Sequence, residues 1–156
     1  MAKYSIAPED IQKIVTDVAT ENGLQQIGID FQALVTTKGK DVIKVVKANE
    51  FAEIVSDRAD LVFVLIREDV FDAVDDKTRY LWVRMELEKV SYDDEKEKIV
   101  IGCPTITVPI GFYEKYRDVA VDAALLQNYT LEQINDQEKE RKRAEKEAKK
   151  NKKRGH

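Results

Sequence analysis

The chain has 156 residues, 43% of them hydrophobic, which is enough for one globular domain with an extension. No apolar run reaches the roughly 18 residues that span a bilayer, and the amino-terminal segment has no basic start followed by an apolar stretch. We therefore expect neither a membrane protein nor an exported one. Cys103 is the only cysteine, which excludes an internal disulfide and a cysteine-based metal cluster and favours a reducing interior.

The net charge of −4 hides an uneven distribution of charged residues along the chain. Residues 136–156 hold ten basic and five acidic residues, a net charge of +5, which leaves −9 for residues 1–135. The sequence therefore predicts an acidic domain over residues 1–129, followed by a charged helical tail over residues 130–156.

The first elements are predicted from hydrophobic periodicity. Apolar residues recur at helical spacing within residues 8–22, which predicts an amphipathic helix there. The runs IGIDFQALV and DVIKVVKA are typical of strands, and the TTKGK stretch between them contains Gly39, which suits a hairpin turn. The two runs are therefore expected to pair as a β-hairpin.

A central strand is predicted after a short helix. Asn49 can cap a helix that continues through Ser56. The run LVFVLI, residues 61–66, is continuously apolar and bounded by charged residues, as expected for a strand buried on both faces in the middle of a sheet.

The next helix is predicted over residues 76–90. Val83, Leu87 and Val90 form one apolar stripe on it. Leu81 and Met85 form a neighbouring stripe, so the helix is expected to be largely buried. The segment SYDDEKEK that follows indicates a charged turn.

The remaining elements are a strand and two helices. IVIGCPTITV is strand-like until Pro104 interrupts it, and Pro109 opens a helix with apolar residues at helical spacing. Thr130 and Gln133 form a capping box for a last helix, whose large apolar positions end after Ile134. Together these elements predict an α+β fold, in which a small mixed sheet is flanked by helices and followed by a charged helical extension.

The segment Met85-Glu86-Leu87-Glu88-Lys89 aligns with the zinc signature H-E-x-x-H but has Met and Lys where the signature has histidines. In that signature two imidazoles at i and i+4 share a helical face and bind one zinc ion, while the Glu activates water. Met85 offers only a thioether, Lys89 has no lone pair when protonated, and the single histidine is His156. No zinc site is expected, and an ion pair of Glu86 with Lys89 or Arg84 on the helix surface is the simpler interpretation.

The surrounding sequence resembles a family of phage metallopeptidases with a zincin-like core. LVFVLIREDVFDAVDDKTRYLWVRMELEKVSYD is similar to the family's passage from an apolar strand, through a charged turn, into the helix that carries H-E-L-x-H. Phe71, Asp75-Asp76 and Glu86-Leu87 fall at matching places. VPIGFYEKYRDVA resembles a later stretch at Phe112 but lacks the family's histidine. The resemblance covers about residues 60–118 and implies a zincin-like core.

Because every position expected to hold metal differs, the resemblance implies the scaffold without its activity. We therefore expect a pseudoenzyme with no cofactor: a structural or assembly protein that binds other phage proteins, such as capsid, portal or tail proteins. It would act in the virion and, during assembly, in the host cytoplasm. Two alternatives stay open, a metal-dependent hydrolase rebuilt from the carboxylates of Glu86, Glu88 and Asp93, and a nucleic-acid binder working through the tail.

The candidate partner-binding residues lie in the basic tail. They are Lys146, Lys149, Lys150, Lys152, Lys153 and Arg154. Clustered cations can neutralise phosphates, but the tail also holds acidic residues and has no aromatic residue for base stacking. A solvated tail, or a tail ordered against an acidic protein surface, is therefore favoured over nucleic acid.

Other catalytic chemistry has little support in the sequence. A Ser, Thr or Cys nucleophile needs a neighbouring base, usually histidine, which the core of this chain lacks. Cys103 is therefore expected to be a small buried residue. Neither G-x-x-x-x-G-K nor G-x-G-x-x-G occurs, so nucleotide hydrolysis is not expected.

Overall fold

The computed structural model describes residues 3–48 and 60–155 and divides the chain into two compact units, Met1–Cys103 and Pro104–His156. In the first unit the strands are β1 (Ser5–Ile6), β2 (Asp30–Thr36), β3 (Ile43–Lys47), β4 (Leu61–Arg67), β5 (Val90–Asp93) and β6 (Lys98–Ile101). Its helices are α1 (Glu9–Glu21), α2 (Glu68–Asp72) and α3 (Asp76–Leu87), and the second unit contains α4 (Ile110–Tyr116) and α5 (Asp118–Arg154). This mixture confirms the α+β class. The helix predicted over residues 49–56 lies outside the described residues.

Four strands of the first unit form a mixed sheet in the order β1-β2-β4-β3. β4 runs parallel to β2, with Val62 opposite Phe31, and antiparallel to β3, with Val64 opposite Val45. The predicted β2–β3 hairpin is therefore wrong, because the more apolar β4 lies between these two strands and pairs with both.

β4 occupies the central position that its apolar run predicts. Val62, Val64 and Ile66 are fully buried on one face of the sheet, whereas Phe63 and Leu65 on the other face are half-buried. The expected burial on both faces is thus complete on one face and partial on the other, where Leu61 alone is fully covered. A strand in the middle of a sheet still satisfies its backbone groups on both sides, which favours this placement for the most apolar strand.

Two helices build the core together with the buried face of the sheet. α1 matches the predicted helix closely and contributes Ile11, Val15 and Val18, and it packs against both β2 and α3. α3 buries Val83 and Leu87, but Leu81 and Met85 are more than half exposed. The prediction that α3 is largely buried is therefore wrong, since only one of its two apolar stripes meets the core.

The chain after α3 forms a separate two-stranded hairpin. Val90, predicted as the last helical residue, instead begins β5, which pairs antiparallel with β6. Asp93 Oδ1 accepts hydrogen bonds from the backbone N–H groups of Glu95 at 3.0 Å and Lys96 at 3.1 Å, which closes the predicted charged turn. The strand predicted from Ile99 onward ends at Ile101.

Helical side chains complete the backbone hydrogen bonding of the sheet. β1 is only two residues long, so it covers only part of β2. Beyond it, Gln12 Oε1 accepts a hydrogen bond from the Ala33 N–H at 2.8 Å, and Gln12 Nε2 donates to the Phe31 carbonyl at 3.2 Å. At the other edge of the sheet, Glu86 of α3 accepts a hydrogen bond from the Val45 N–H of β3.

The second unit consists of an extended segment and two helices. The single helix predicted from Pro109 is divided at Arg117, whose φ of 50° ends α4 and precedes α5. The predicted capping box at Thr130 is wrong, because Thr130 lies within α5 and its hydroxyl donates to the Leu126 carbonyl at 2.7 Å. The boundary predicted between residues 129 and 130 falls inside this helix.

None of the helices within residues 3–48 and 60–155 combines the length and the apolar character needed to cross a membrane.

Candidate functional site

The helix that carries the degenerate zinc motif is α3. It begins after Asp75, whose side chain accepts a hydrogen bond from the Thr78 N–H at 2.9 Å. Hydrogen bonding to the Thr78 side chain, and then to its backbone, lowers the pKa of Asp75. The helix ends at Leu87, so Lys89 lies beyond it. Met85, at the first ligand position, is 62% exposed. The two positions that would hold imidazoles therefore do not share the face of one continuous helix.

Glu86 is buried, with only 6% of its surface exposed, so its predicted place on the helix surface is wrong. Its Oε1 accepts a hydrogen bond from the Val45 N–H of β3 at 3.3 Å, and its Oε2 lies 3.0 Å from Lys89 Nζ. The predicted ion pair with Lys89 is thus confirmed. Both carboxylate oxygens bind groups of the protein itself, and the arrangement can hold the sheet edge against α3.

Arg84, the other predicted partner of Glu86, pairs elsewhere. Its guanidinium donates to Glu21 Oε2 at 3.3 Å and to the Tyr80 hydroxyl at 3.1 Å. The Tyr80 hydroxyl also donates to Glu21. This exposed cluster links α1 to α3, so sequence proximity to Glu86 did not predict the contact that Arg84 makes.

The structure does not assemble the carboxylates of Glu86, Glu88 and Asp93 into a metal site. Glu86 is engaged by Val45 and Lys89, and Asp93 accepts two backbone hydrogen bonds in the β5–β6 turn. Across residues 3–48 and 60–155, no group of three or more His, Cys, Asp or Glu side chains is placed to hold a metal ion. Cys103 is exposed, so its predicted burial is also wrong.

A small cationic cleft at the carboxyl ends of β2 and β4 was not predicted from the sequence. It has a volume of about 50 Å³, and its lining includes Lys38, Lys40, Lys44 and Arg67. Arg67 contacts both carboxylate oxygens of Asp69, at 3.0 and 3.1 Å, and donates to the Gly39 carbonyl at 2.9 Å. The hydrogen bonds between Arg67 and Asp69 raise the pKa of Arg67 and lower that of Asp69. Arg67 is therefore already bound to the protein.

The proximal part of α5 carries large aliphatic side chains that are at least half exposed. Leu126 is 65% exposed, Leu131 59% and Ile134 50%. We call this surface the apolar patch, and it comprises Ala123, Leu126, Gln127, Thr130, Leu131 and Ile134. These six residues follow the three- and four-residue spacing that places side chains on one helical face.

In the carboxyl-terminal part of α5, basic and acidic side chains lie on different sides of the helix. At about 100° per residue, an arc of roughly 140° holds basic side chains alone. We call this arc the basic face, and it comprises Lys139, Lys142, Arg143, Lys146, Lys149, Lys150, Lys153 and Arg154. Glu138 and Glu145 border it on one side, and Glu140 and Glu147 on the other. All of these residues are exposed.

Five of the six predicted partner-binding residues lie on the basic face. The exception is Lys152, which helical geometry places on the opposite side, beside Arg141. Arg141 also pairs with Glu145, at 3.9 Å. Sequence reasoning missed Lys139, Lys142 and Arg143, although the 3.6-residue period contained the signal that groups them with the others.

No protein-family model, curated protein or solved structure matches this chain.

Proposed function

We propose that this chain is a non-catalytic structural or assembly protein of a phage, which docks through its second unit. The observation that carries the proposal is the apolar patch of α5, where Leu126, Leu131 and Ile134 are at least half exposed on one face. Contiguous exposed apolar surface is typical of protein interaction sites. The phage context comes from the resemblance of residues 60–118 to phage metallopeptidases.

The placement of Glu86 supports a non-catalytic role. A general base must reach a water molecule or a substrate proton with a free oxygen. Oε1 of Glu86 accepts the Val45 N–H, and Oε2 faces the Lys89 ammonium group. The one residue of the zinc motif that keeps its type is thus used to join α3 to the sheet.

The occupant that best fits the apolar patch is a second copy of the same patch. When two α5 helices lie antiparallel, with the midpoint between Asn128 and Tyr129 as the centre, Ala123 of one copy is level with Ile134 of the other. This places a small side chain beside a large one. Gln127 is then level with Thr130, and these two polar side chains can hydrogen-bond. The patch is therefore complementary to itself, as a twofold interface requires.

Charge also favours the antiparallel arrangement. Residues 136–156 carry a net charge of +5, and a parallel pair would bring two such segments side by side. In an antiparallel pair centred near residue 128 these segments lie at opposite ends. The proposed protein is thus a twofold assembly unit with one charged helical segment at each end of its interface.

Sedimentation velocity on the full chain tests this proposal. We expect the wild-type protein to sediment as a dimer, and a variant with Leu126→Gln and Ile134→Gln to sediment as a monomer with unchanged helical content. The matched control is Leu81→Gln with Met85→Gln, which removes two comparably exposed apolar residues from α3. This control is expected to remain dimeric.

Two results would contradict self-pairing through α5. One is a wild-type protein that stays monomeric at high concentration, and the other is a dimer that survives the double substitution in α5. A monomer that forms a complex with an added capsid, portal or tail protein, lost in the α5 variant, would replace the second copy with that partner.

A further inference from the structure

We infer that the basic face of α5 binds the phosphate backbone of duplex nucleic acid without reading its sequence. This inference is independent of the proposed function, because it rests on residues 139–154 and not on the apolar patch. The relevant feature is the segregation of charge around the helix, since the net charge of the segment alone is equally typical of a solvated tail.

The basic face is long and free of interruptions. Its residues extend from Lys139 to Arg154, which corresponds to about 22 Å along a helix. Every residue that the helical period places in this arc is Lys or Arg, whereas Glu140 and Glu147 lie outside it. The acidic residues of the segment therefore border the basic face without interrupting it, although they lower the net charge.

A duplex supplies the matching surface. It presents about one negative charge per 1.7 Å of its axis, so a straight array of cations about 22 Å long can meet several phosphates at once. Each phosphate that is neutralised releases condensed counterions, which supplies most of the free energy of such binding. Since phosphates carry no base identity, binding of this kind does not depend on sequence.

Two other polyanionic partners fit the segment less well. Single-stranded nucleic acid is usually held by aromatic side chains that stack on its bases, and residues 139–154 contain no aromatic residue. An anionic membrane requires a helix whose opposite face is apolar. The opposite face here carries Arg141, Asn151 and Lys152, with only Ala144 and Ala148 as apolar residues.

The test is binding of the full chain to a fluorescently labelled 20-base-pair duplex, followed by anisotropy at several salt concentrations. If about four of the eight cations contact phosphates, the logarithm of the association constant should fall with the logarithm of salt concentration with a slope of roughly −4. Affinity should then drop by roughly 100-fold between 50 and 200 mM salt. Two duplexes of unrelated sequence should bind equally well.

Two exchange variants separate the basic face from net charge. Lys146→Glu with Glu147→Lys keeps the composition and net charge but puts an acidic residue at the centre of the face. Glu140→Arg with Arg141→Glu makes the same kind of exchange outside the face. Circular dichroism verifies that both remain helical. We expect the first variant to bind the duplex about tenfold more weakly at 50 mM salt, with a slope shallower by about 1.

The second exchange variant should bind at least as tightly as the wild-type protein. Equal binding by all three proteins would overturn the inference, because net charge alone would then account for the affinity. It would also be overturned if the wild-type chain failed to bind the duplex at 50 mM salt. Neither result bears on the dimer, which depends on Leu126 and Ile134.

Discussion

In the first unit, several charged side chains bind the protein's own backbone, whereas those of α5 in the second unit face solvent in an ordered array. Glu86 accepts the Val45 N–H, and Arg67 donates to the Gly39 carbonyl. Arg79 donates to the Phe71 carbonyl at 2.6 Å and pairs with Asp76 at 3.2 Å. The basic face of α5 makes no comparable use of its cations within the described part of the chain.

This difference separates residues that hold the fold together from residues that remain available to a partner. The degenerate zinc motif, residues 85–89, belongs to the residues that hold the fold together, since Glu86 is buried and both of its carboxylate oxygens are bonded. The apolar patch and the basic face belong to the second group. Substitutions in the first unit should therefore change stability, and those in α5 should change binding.

The largest expected difference comes from making the same substitution in each unit. Leu87 is buried in the core of the first unit, whereas Leu126 is 65% exposed on α5. Leu87→Ala should lower the free energy of unfolding by about 3 kcal/mol, because it leaves a cavity. Leu126→Ala should change it by less than about 0.5 kcal/mol in dilute protein. Urea unfolding measures both, and equal losses would remove the contrast between the units.

A smaller loss is expected when the buried carboxylate is removed. Glu86→Ala should cost about 2 kcal/mol, because the Val45 N–H and the Lys89 ammonium group both lose their acceptor. Glu88→Ala is the matched control, since Glu88 is exposed, and it should change stability by less than about 0.5 kcal/mol. If Glu86→Ala lowered the free energy of unfolding no more than Glu88→Ala does, the structural role assigned to the Glu86 carboxylate would be contradicted.

The smallest effect concerns the start of α3 and depends on pH. Because the hydrogen bond from Thr78 lowers the pKa of Asp75 in the folded protein, the ionised carboxylate stabilises the fold above the ordinary pKa of aspartate. That contribution is lost as the pH falls through the lowered folded-state pKa. Asp75→Ala should therefore melt at a lower temperature than wild type at pH 7, and the gap should narrow near pH 2.5.

Asp75→Asn sharpens the same measurement. The asparagine amide keeps an acceptor for the Thr78 N–H but does not titrate, so part of the cap remains without its pH dependence. A gap between wild type and Asp75→Ala that stayed constant from pH 7 to pH 2.5 would contradict the assigned cause of the lowered pKa.

The sequence correctly predicted the elements that are determined by interactions between residues close together in the chain. The apolar period of residues 8–22 located α1 to within one residue at each end, because amphipathic spacing and Pro8 act within the helix itself. The continuous apolar run placed β4 in the middle of the sheet. The α+β class followed from the full set of predicted helices and strands.

Strand pairing and helix burial could not be predicted in the same way. Gly39 suits a turn, but β2 and β3 each gain more by pairing with β4, and this competition between distant segments is invisible in the connecting loop. Likewise, the two apolar stripes of α3 look equivalent in sequence, and only the packed structure distinguishes the buried Val83 from the exposed Met85.

The basic face that we propose as a binding surface was predicted in composition but not in arrangement. A linear count of charges in the tail suggested that its acidic residues weaken any cationic site. Because α5 is helical through Arg154, those acidic residues fall to the sides of the basic face and the cations gather between them.

The most direct test of the division of roles between the units is lysine acetylation of the full chain, read by mass spectrometry, with and without a 20-base-pair duplex. We predict that Lys142, Lys146 and Lys149 become protected when the duplex binds. Lys152 on the far side of α5 should react as before, as should Lys38 and Lys40 beside the small cleft of the first unit. Protection of Lys38 and Lys40, or equal protection around the whole of α5, would contradict the account.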